Sequence, residues 1–170
     1  MKRCLRLAVV AAVAVLGFAG PAMADRLGAH MSGGQEVPPV FTSGHAFILV
    51  SFSEAADEMT YSMVYFDLGS SVTQAHIHFG QPGVNGGIMV FLCSNLGNAP
   101  LGTPPCSNDP GFNGVSGTIT PASIVGSAAA QGVTAGNFDA FREAVIEGGG
   151  YANIHTTSFP SGEIRGPLGH

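Results

Sequence analysis

The stretch Gln74-Ala75-His76-Ile77-His78-Phe79-Gly80 decides how this chain is organised. In a strand, successive side chains point to opposite faces of the sheet. His76 and His78 then share one face, and the apolar residues of the stretch share the other. Because the apolar face belongs in a core, the two imidazoles are predicted to point toward a surface groove or a covering loop. Such a pair can chelate a metal ion without disturbing the core.

A third histidine lies in a similar position near the end of the chain. Residues 151–156 are predicted to be a strand, in which His155 and Asn153 lie opposite the apolar neighbours. The last predicted strand, 163–168, carries Arg165 on one face together with Glu163. The polar sides of the predicted core strands therefore carry three histidines and an arginine.

The rest of the chain favours β structure, because 25 glycines and 11 prolines separate short apolar runs. The further strands are predicted at 26–31, 45–52, 59–66, 88–92 and 115–120. One helix is predicted over 137–147, where phenylalanine, alanine and valine side chains recur at helical spacing. Residues 93–114 are predicted to form one long loop.

Residues 1–24 have the features of a cleaved signal peptide. Lys2, Arg3 and Arg6 precede an apolar run over 7–18, and Ala22-Met23-Ala24 supplies the small residues of a cleavage site. The run is too short to span a bilayer as a helix, which disfavours a membrane anchor. We therefore expect an exported protein, periplasmic or extracellular, with a single domain over 25–170.

Cleavage would leave a strongly anionic protein. The full chain has a net charge of −5, and the part after residue 24 has three arginines against 11 carboxylates, a net charge of −8 with no lysine. This balance argues against nucleic acid or an anionic membrane as a partner.

Cys93 and Cys106 are the cysteines that remain after cleavage. In an exported chain such a pair is expected to form a disulfide, which would stabilise the fold by about 3 kcal/mol for a loop of this size. The alternative, thiolate metal ligands, is disfavoured because the chain has no C-x-x-C pair.

Several ordered blocks carry a resemblance to a known family. They are Glu36-Val37-Pro38-Pro39-Val40, Ala75-His76-Ile77-His78, Asn85-Gly86, Ala152-Asn153-Ile154-His155-Thr156 and Phe159-Pro160-Ser161-Gly162-Glu163-Ile164-Arg165-Gly166. In these blocks the chain resembles the CHRD domain, which is named from the growth-factor antagonist chordin and is common in exported bacterial proteins. The resemblance implies an all-β, immunoglobulin-like or Greek-key β-sandwich, here with one short helix near the C-terminus. It implies no settled activity. Two features depart from the pattern. One is the long insertion between Cys93 and Cys106, and the other is His45.

A second similarity concerns the arrangement of residues and not the alignment. Copper–zinc superoxide dismutases hold copper with a His-x-His strand and a later strand histidine, and an arginine near the C-terminus guides the anion. His76, His78, His155 and Arg165 occur in the same order here. No bridging histidine and no acidic zinc loop is evident, so any such activity would be of a copper-only kind.

Two function hypotheses remain open. In the first, His76, His78 and His155 bind copper, with zinc as the less favoured metal, and Asn153 or Gln74 orients a ligand ring. Superoxide dismutase-like activity on a small anion guided by Arg165 would accompany it.

The second hypothesis is a non-enzymatic cell-envelope or extracellular module that binds a protein partner. The same histidines would then form a structural hydrogen-bonded network, and Arg165 would pair with Glu163 or Glu36. Growth-factor antagonism rests on the family name alone, because a fold does not carry a function. Motifs of hydrolases and nucleotide-binding enzymes are missing from the sequence.

Overall fold

An antiparallel sheet of eight strands forms the described part of the protein. The computed structural model describes residues 25–53, 58–108 and 113–170, so the predicted signal peptide lies outside the described residues. The strands are β1 (Arg26–Ser32), β2 (His45–Phe52), β3 (Met59–Phe66), β4 (Val72–Phe79), β5 (Gly87–Ser94), β6 (Asn113–Ile119), β7 (Gly150–Thr156) and β8 (Ile164–Pro167). Their order in the sheet is β5-β4-β7-β8-β1-β2-β3-β6.

The two ends of the sheet curve toward each other. The hydroxyl of Tyr61 on β3 donates a hydrogen bond to the carbonyl of Leu92 on β5, although five strands lie between β5 and β3 in the hydrogen-bonded order of the sheet. The result is a nearly closed, sandwich-like barrel. This confirms the all-β, sandwich-like fold predicted from the sequence.

Strands β2 and β3 show the alternation that places one face in a core. Ala46, Ile48, Val50 and Phe52 are buried on β2, whereas the residues between them are more exposed. On β3 the methionines and tyrosines are buried and the residues between them are not. Period-two burial is what a sheet with one solvated face requires.

Strands β4 and β7 depart from this alternation, because both of their faces are covered. All seven residues of β7 are buried, and so are residues 75–78 of β4. Ala75, Ile77 and Ile154 belong to the apolar core. The opposite face of the same strands carries the histidines, so the loops outside the sheet must cover them.

The helix is shorter than predicted. Helix α1 spans Phe138–Ala144, and the Asn137 side chain caps it by accepting a hydrogen bond from the backbone N–H of Ala140. A wider turn of π type follows at Val145–Gly149. Gly148 adopts a left-handed backbone there, with φ of +78°, and this ends the helical backbone after Glu147.

Cys93 and Cys106 form the predicted disulfide, so the thiolate-ligand alternative is wrong for these two residues. Cys93 itself lies within β5, which is longer than the predicted 88–92. Strand β6 likewise begins at Asn113, so the connection between β5 and β6 is shorter than the predicted loop. Asn95 ties the connection to the start of β4 by donating to the Val72 carbonyl.

No helix among the described residues is long and apolar enough to cross a membrane.

Candidate metal centre

The pairing of β4 with β7 brings the three predicted histidines together. In this antiparallel pair, His76 lies opposite Asn153 and His78 opposite Tyr151. The ring centroids of His76 are 5.4 Å from those of His78 and 4.9 Å from those of His155. One nitrogen from each of the three rings lies within 4.8 Å of the others. In the part of the chain that the structure describes, this is the one group of three or more potential ligands.

The imidazoles lie beneath loops and not in an open groove. His76 is 0% exposed, and His78 and His155 are each 8% exposed. Of the two positions predicted for these rings, the covering loop is confirmed and the surface groove is wrong. The pairing of β4 with the neighbouring strand β5 is irregular at the same positions, because its register shifts next to His76 and again next to His78.

Backbone carbonyls determine which nitrogen of two rings carries the proton. The Nδ1 atom of His78 lies 3.0 Å from the Gly86 carbonyl, and that of His155 lies 3.0 Å from the Pro160 carbonyl. A carbonyl oxygen can only accept, so in the neutral rings both Nδ1 atoms must be N–H groups. The Nε2 atoms of His78 and His155 therefore carry free lone pairs, as in histidines that bind metals.

His76 lies between the other two rings. Its Nδ1 is 3.2 Å from the Nε2 of His155, and this contact is a hydrogen bond when Nδ1 is protonated. The Nε2 atoms of His76 and of His78 are buried with no hydrogen-bond partner. Buried polar atoms nearly always have a partner, so two such nitrogens in one cluster call for an explanation.

The electrostatics of the cluster keep the rings neutral. Burial, together with the smaller effects of the nearby His155 and His78, lowers the pKa of His76 from its usual 6.5 to about 2. Burial also lowers the pKa of His78 to about 4, although its hydrogen bond to Gly86 opposes the change. The pKa of His155 is lowered chiefly by burial. Neutral imidazole is the form that binds metals.

The geometry fits a metal ion. Two nitrogens on one tetrahedral ion, with bonds of about 2.0 Å, lie about 3.3 Å apart. The 3.2 Å between His76 Nδ1 and His155 Nε2 suits this arrangement as well as a hydrogen bond. His76 would then bind through Nδ1, and its Nε2 would carry the proton. Three neutral imidazoles suit copper or zinc.

Aromatic rings surround the cluster. Phe91 packs edge-on against His76 with centroids 4.5 Å apart, and Tyr151 stacks on His78 at 4.8 Å with an interplanar angle of 4°. The guanidinium of Arg165 lies 4.6 Å from the centre of the Tyr151 ring. These rings limit the rotation of the imidazoles and exclude water from them.

Arg165 is buried in an ion pair with Glu36. Its Nε lies 2.7 Å from a carboxylate oxygen of Glu36, and both side chains are almost fully buried. Its other nitrogens donate to the carbonyl of Val84 and to the Asn85 side chain. Arg165 therefore holds the loop that ends in Gly86, whose carbonyl binds His78. Of the two structural partners expected for Arg165, Glu36 is the one observed.

The residues that orient the imidazoles differ from those expected. Asn153 donates to Glu36 and to the Ile164 carbonyl, and Gln74 accepts from Asn98, so neither orients a histidine. The carbonyls of Gly86 and Pro160 do so instead. Both residues lie in the loop blocks that carry the family resemblance, but their residue types do not mark them as partners of the histidines.

Comparison with known families identifies the family to which the chain belongs. Neither the curated proteins nor the solved structures gave a match. A family model described as the CHRD domain matches residues 27–168, which include all eight strands except Arg26 and the whole histidine cluster. The chain belongs to the CHRD domain family.

Proposed function

We propose that this protein binds one copper ion through His76, His78 and His155, and that it does so outside the cytoplasm. The observation that carries the proposal is the cluster of three buried rings, in which one nitrogen from each ring lies within 4.8 Å of the others and the Nε2 of His78 has no hydrogen-bond partner. A metal ion is a partner that would satisfy the lone pair of His78. Copper is preferred to zinc because Cu(II) binds nitrogen sites more tightly in the general order of divalent metals.

Export is part of the proposal. The basic start, the apolar run and the Ala22-Met23-Ala24 sequence support it, and so does the disulfide, which is typical of oxidising compartments.

A superoxide dismutase-like activity would rest on this site. Two superoxide ions and two protons would give one dioxygen and one hydrogen peroxide, with the copper ion passing one electron between them. Guidance of the anion by Arg165 stays a prediction. The ion pair with Glu36 compensates the charge of Arg165, so its contacts favour a role in holding the Val84–Asn85 segment over His78.

A second candidate function is a non-enzymatic binding module with structural histidines. The bonds from His78 to Gly86 and from His155 to Pro160 favour it, because each ties a core strand to a covering loop. In that case the cluster would hold no metal, and substitution of its histidines would lower only the free energy of unfolding.

Metal content distinguishes the two. We expect the untagged protein, exported to a periplasm, loaded with copper and desalted with a weak chelator such as glycine, to retain about one copper per chain by plasma mass spectrometry. The His76→Ala/His78→Ala variant should retain none, and the His170→Ala control should match the parent. Copper at about 100 times the Kd of the buried site should also stabilise the parent by about 2.7 kcal/mol, and the double variant by clearly less.

Absence of copper from the parent after loading would overturn the proposal and leave the structural role. If copper is retained, a superoxide assay of the loaded parent and of Arg165→Gln tests the activity and the anion guidance separately.

A further inference from the structure

A second pair of histidines lies on the outer face of the sheet, away from the core. His30 is on β1 and His45 on β2, and the strands pair so that Ser32 lies opposite His45 and His30 opposite Phe47. The two histidines are therefore diagonal neighbours on one face. His30 is exposed and His45 is partly exposed, unlike the three buried rings.

The two rings are close and are held in place by neighbours. The Nε2 of His30 lies 3.3 Å from the Nδ1 of His45, and the ring planes are within 16° of parallel. Phe47 packs against His30 with centroids 4.9 Å apart, and Phe66 lies 6.1 Å from His45. Phe47 is 49% exposed and also faces Phe66, with ring centroids 6.3 Å apart.

We propose that His30 and His45 form a second, solvent-facing metal site that binds a divalent transition metal, with Cu(II) preferred. The 3.3 Å between the two nitrogens matches two ligands on one ion with bonds of about 2.0 Å. Cu(II) is favoured because it heads the affinity order for imidazole sites. The anionic charge of the chain would raise the local concentration of cations.

The site differs in kind from the buried cluster. Two protein ligands leave the remaining coordination positions to water, and the open face lets the metal enter and leave. The pair would therefore hold copper reversibly, as a site of uptake or exchange, whereas the buried rings would retain it. This inference does not depend on the proposed function, because it uses different residues on different strands.

Chromatography on immobilised Cu(II)-iminodiacetate tests the site directly, because copper fixed to a resin reaches exposed rings and not buried ones. The untagged full chain would carry His170→Ala, which removes the exposed terminal histidine. We expect this parent to be retained. Adding His30→Gln or His45→Gln should each abolish retention or lower by at least about tenfold the imidazole needed for elution, because both nitrogens are ligands.

A Cu(II) titration followed by electron paramagnetic resonance tests the same site in solution. In His76→Ala/His78→Ala/His170→Ala, about one Cu(II) per chain should bind with coupling to two nitrogens, and His30→Gln should remove it. Leu49→Ala, an exposed substitution on β2, is the matched control and should change neither measurement.

If His30→Gln and His45→Gln change neither the retention on the Cu(II) resin nor the Cu(II) titration, the proposal is overturned. The two histidines would then be only a stacked, hydrogen-bonded pair. Should the variant with substitutions in the buried cluster not fold, the resin measurement on the His170→Ala parent still decides. If the buried histidines prove to bind no copper, the parent will hold none after desalting, but its retention on the Cu(II) resin through His30 and His45 is still expected. The two proposals can therefore fail separately.

Discussion

The Nε2 atoms of His76 and His78 show what a single residue can reveal about function. Each would lose hydrogen bonds to water on burial, and neither gains a protein partner in return. The cost of burying an unpaired polar atom is about 1–3 kcal/mol. A fold that bears this cost twice in one cluster, beside a third imidazole whose Nε2 lone pair faces His76, has the character of a binding site.

The ion pair between Glu36 and Arg165 gives a prediction at the same scale. Glu36→Gln keeps the shape of the side chain but leaves the guanidinium buried without a counter-charge. We expect the substitution to lower the free energy of unfolding by about 3 kcal/mol, because breaking a buried pair strands the remaining charge. Urea denaturation at neutral pH measures the change.

Asp25→Asn is the matched control for that substitution. It breaks the pair between Asp25 and Arg142, whose side chains are 34% and 40% exposed, so water screens the charge that remains. A loss of less than about 1 kcal/mol is expected. Equal effects of the two substitutions would contradict the buried character of the Glu36 pair.

Period-two reasoning identified His76, His78 and His155, because alternation in a strand is a local property of the sequence. It could not identify their partners. Gly86 and Pro160 contribute carbonyl oxygens from loops, and every residue has a carbonyl, so no residue type marks them. The free lone pairs follow from those bonds and therefore could not be predicted either.

At the scale of elements, the site depends on two core strands and the loops outside them. Alternating apolar residues predicted that β4 and β7 exist, but their pairing is a long-range contact that no local pattern specifies. The helix boundary was missed for another reason. The periodic apolar residues continue to Val145, but the turn widens from the α to the π type at that residue.

The loop between β4 and β5 gives the prediction for this scale. A Cβ atom on Gly86 would overlap the carbonyl oxygen of Phe79, and backbone atoms cannot move aside as a side chain can. Gly86→Ala must therefore displace the loop and its bond to His78. We expect a loss of at least about 2 kcal/mol in urea denaturation, and, if copper binds, an affinity about 10–100 times weaker in a chelator competition.

Gly34→Ala is the matched control for Gly86→Ala, since a Cβ at Gly34 meets no atom within 4 Å and its backbone angle is not left-handed. It should leave stability and copper affinity nearly unchanged. A Gly86→Ala protein as stable as the Gly34→Ala protein would show that the loop adjusts without disturbing His78.

For the whole molecule, the nearly closed sheet explains why burial and chemistry coincide. Strands β2 and β3 leave one face to solvent, whereas β4 and β7 are covered on both faces. The sequence predicted a polar face there and left open whether a loop covers it. The covering segments around Glu36, Gly86 and Pro160 lie far apart in the chain and meet only in the closed fold.

Burial of three neutral histidines should make the stability of the metal-free protein depend on pH. In the unfolded chain each ring takes up a proton near pH 6.5, but the folded pKa is about 2 for His76 and about 4 for His78, and that of His155 is lowered as well. Below pH 6.5 the unfolded state therefore binds more protons, and stability is lost as the pH falls.

Each ring that stays neutral in the fold contributes a limiting slope of about 1.4 kcal/mol per pH unit, so His76 and His78 together contribute about 2.7 kcal/mol per unit down to about pH 4. Burial raises the pKa of Glu36, which opposes this trend because the folded carboxyl is the easier one to protonate. Three imidazoles outweigh one carboxyl, so urea denaturation should show a large loss of stability between about pH 7 and pH 5. His76→Gln should reduce this slope by about 1.4 kcal/mol per pH unit, which corresponds to one proton. If the parent is equally stable at both pH values, the rings are not held neutral beneath the loops.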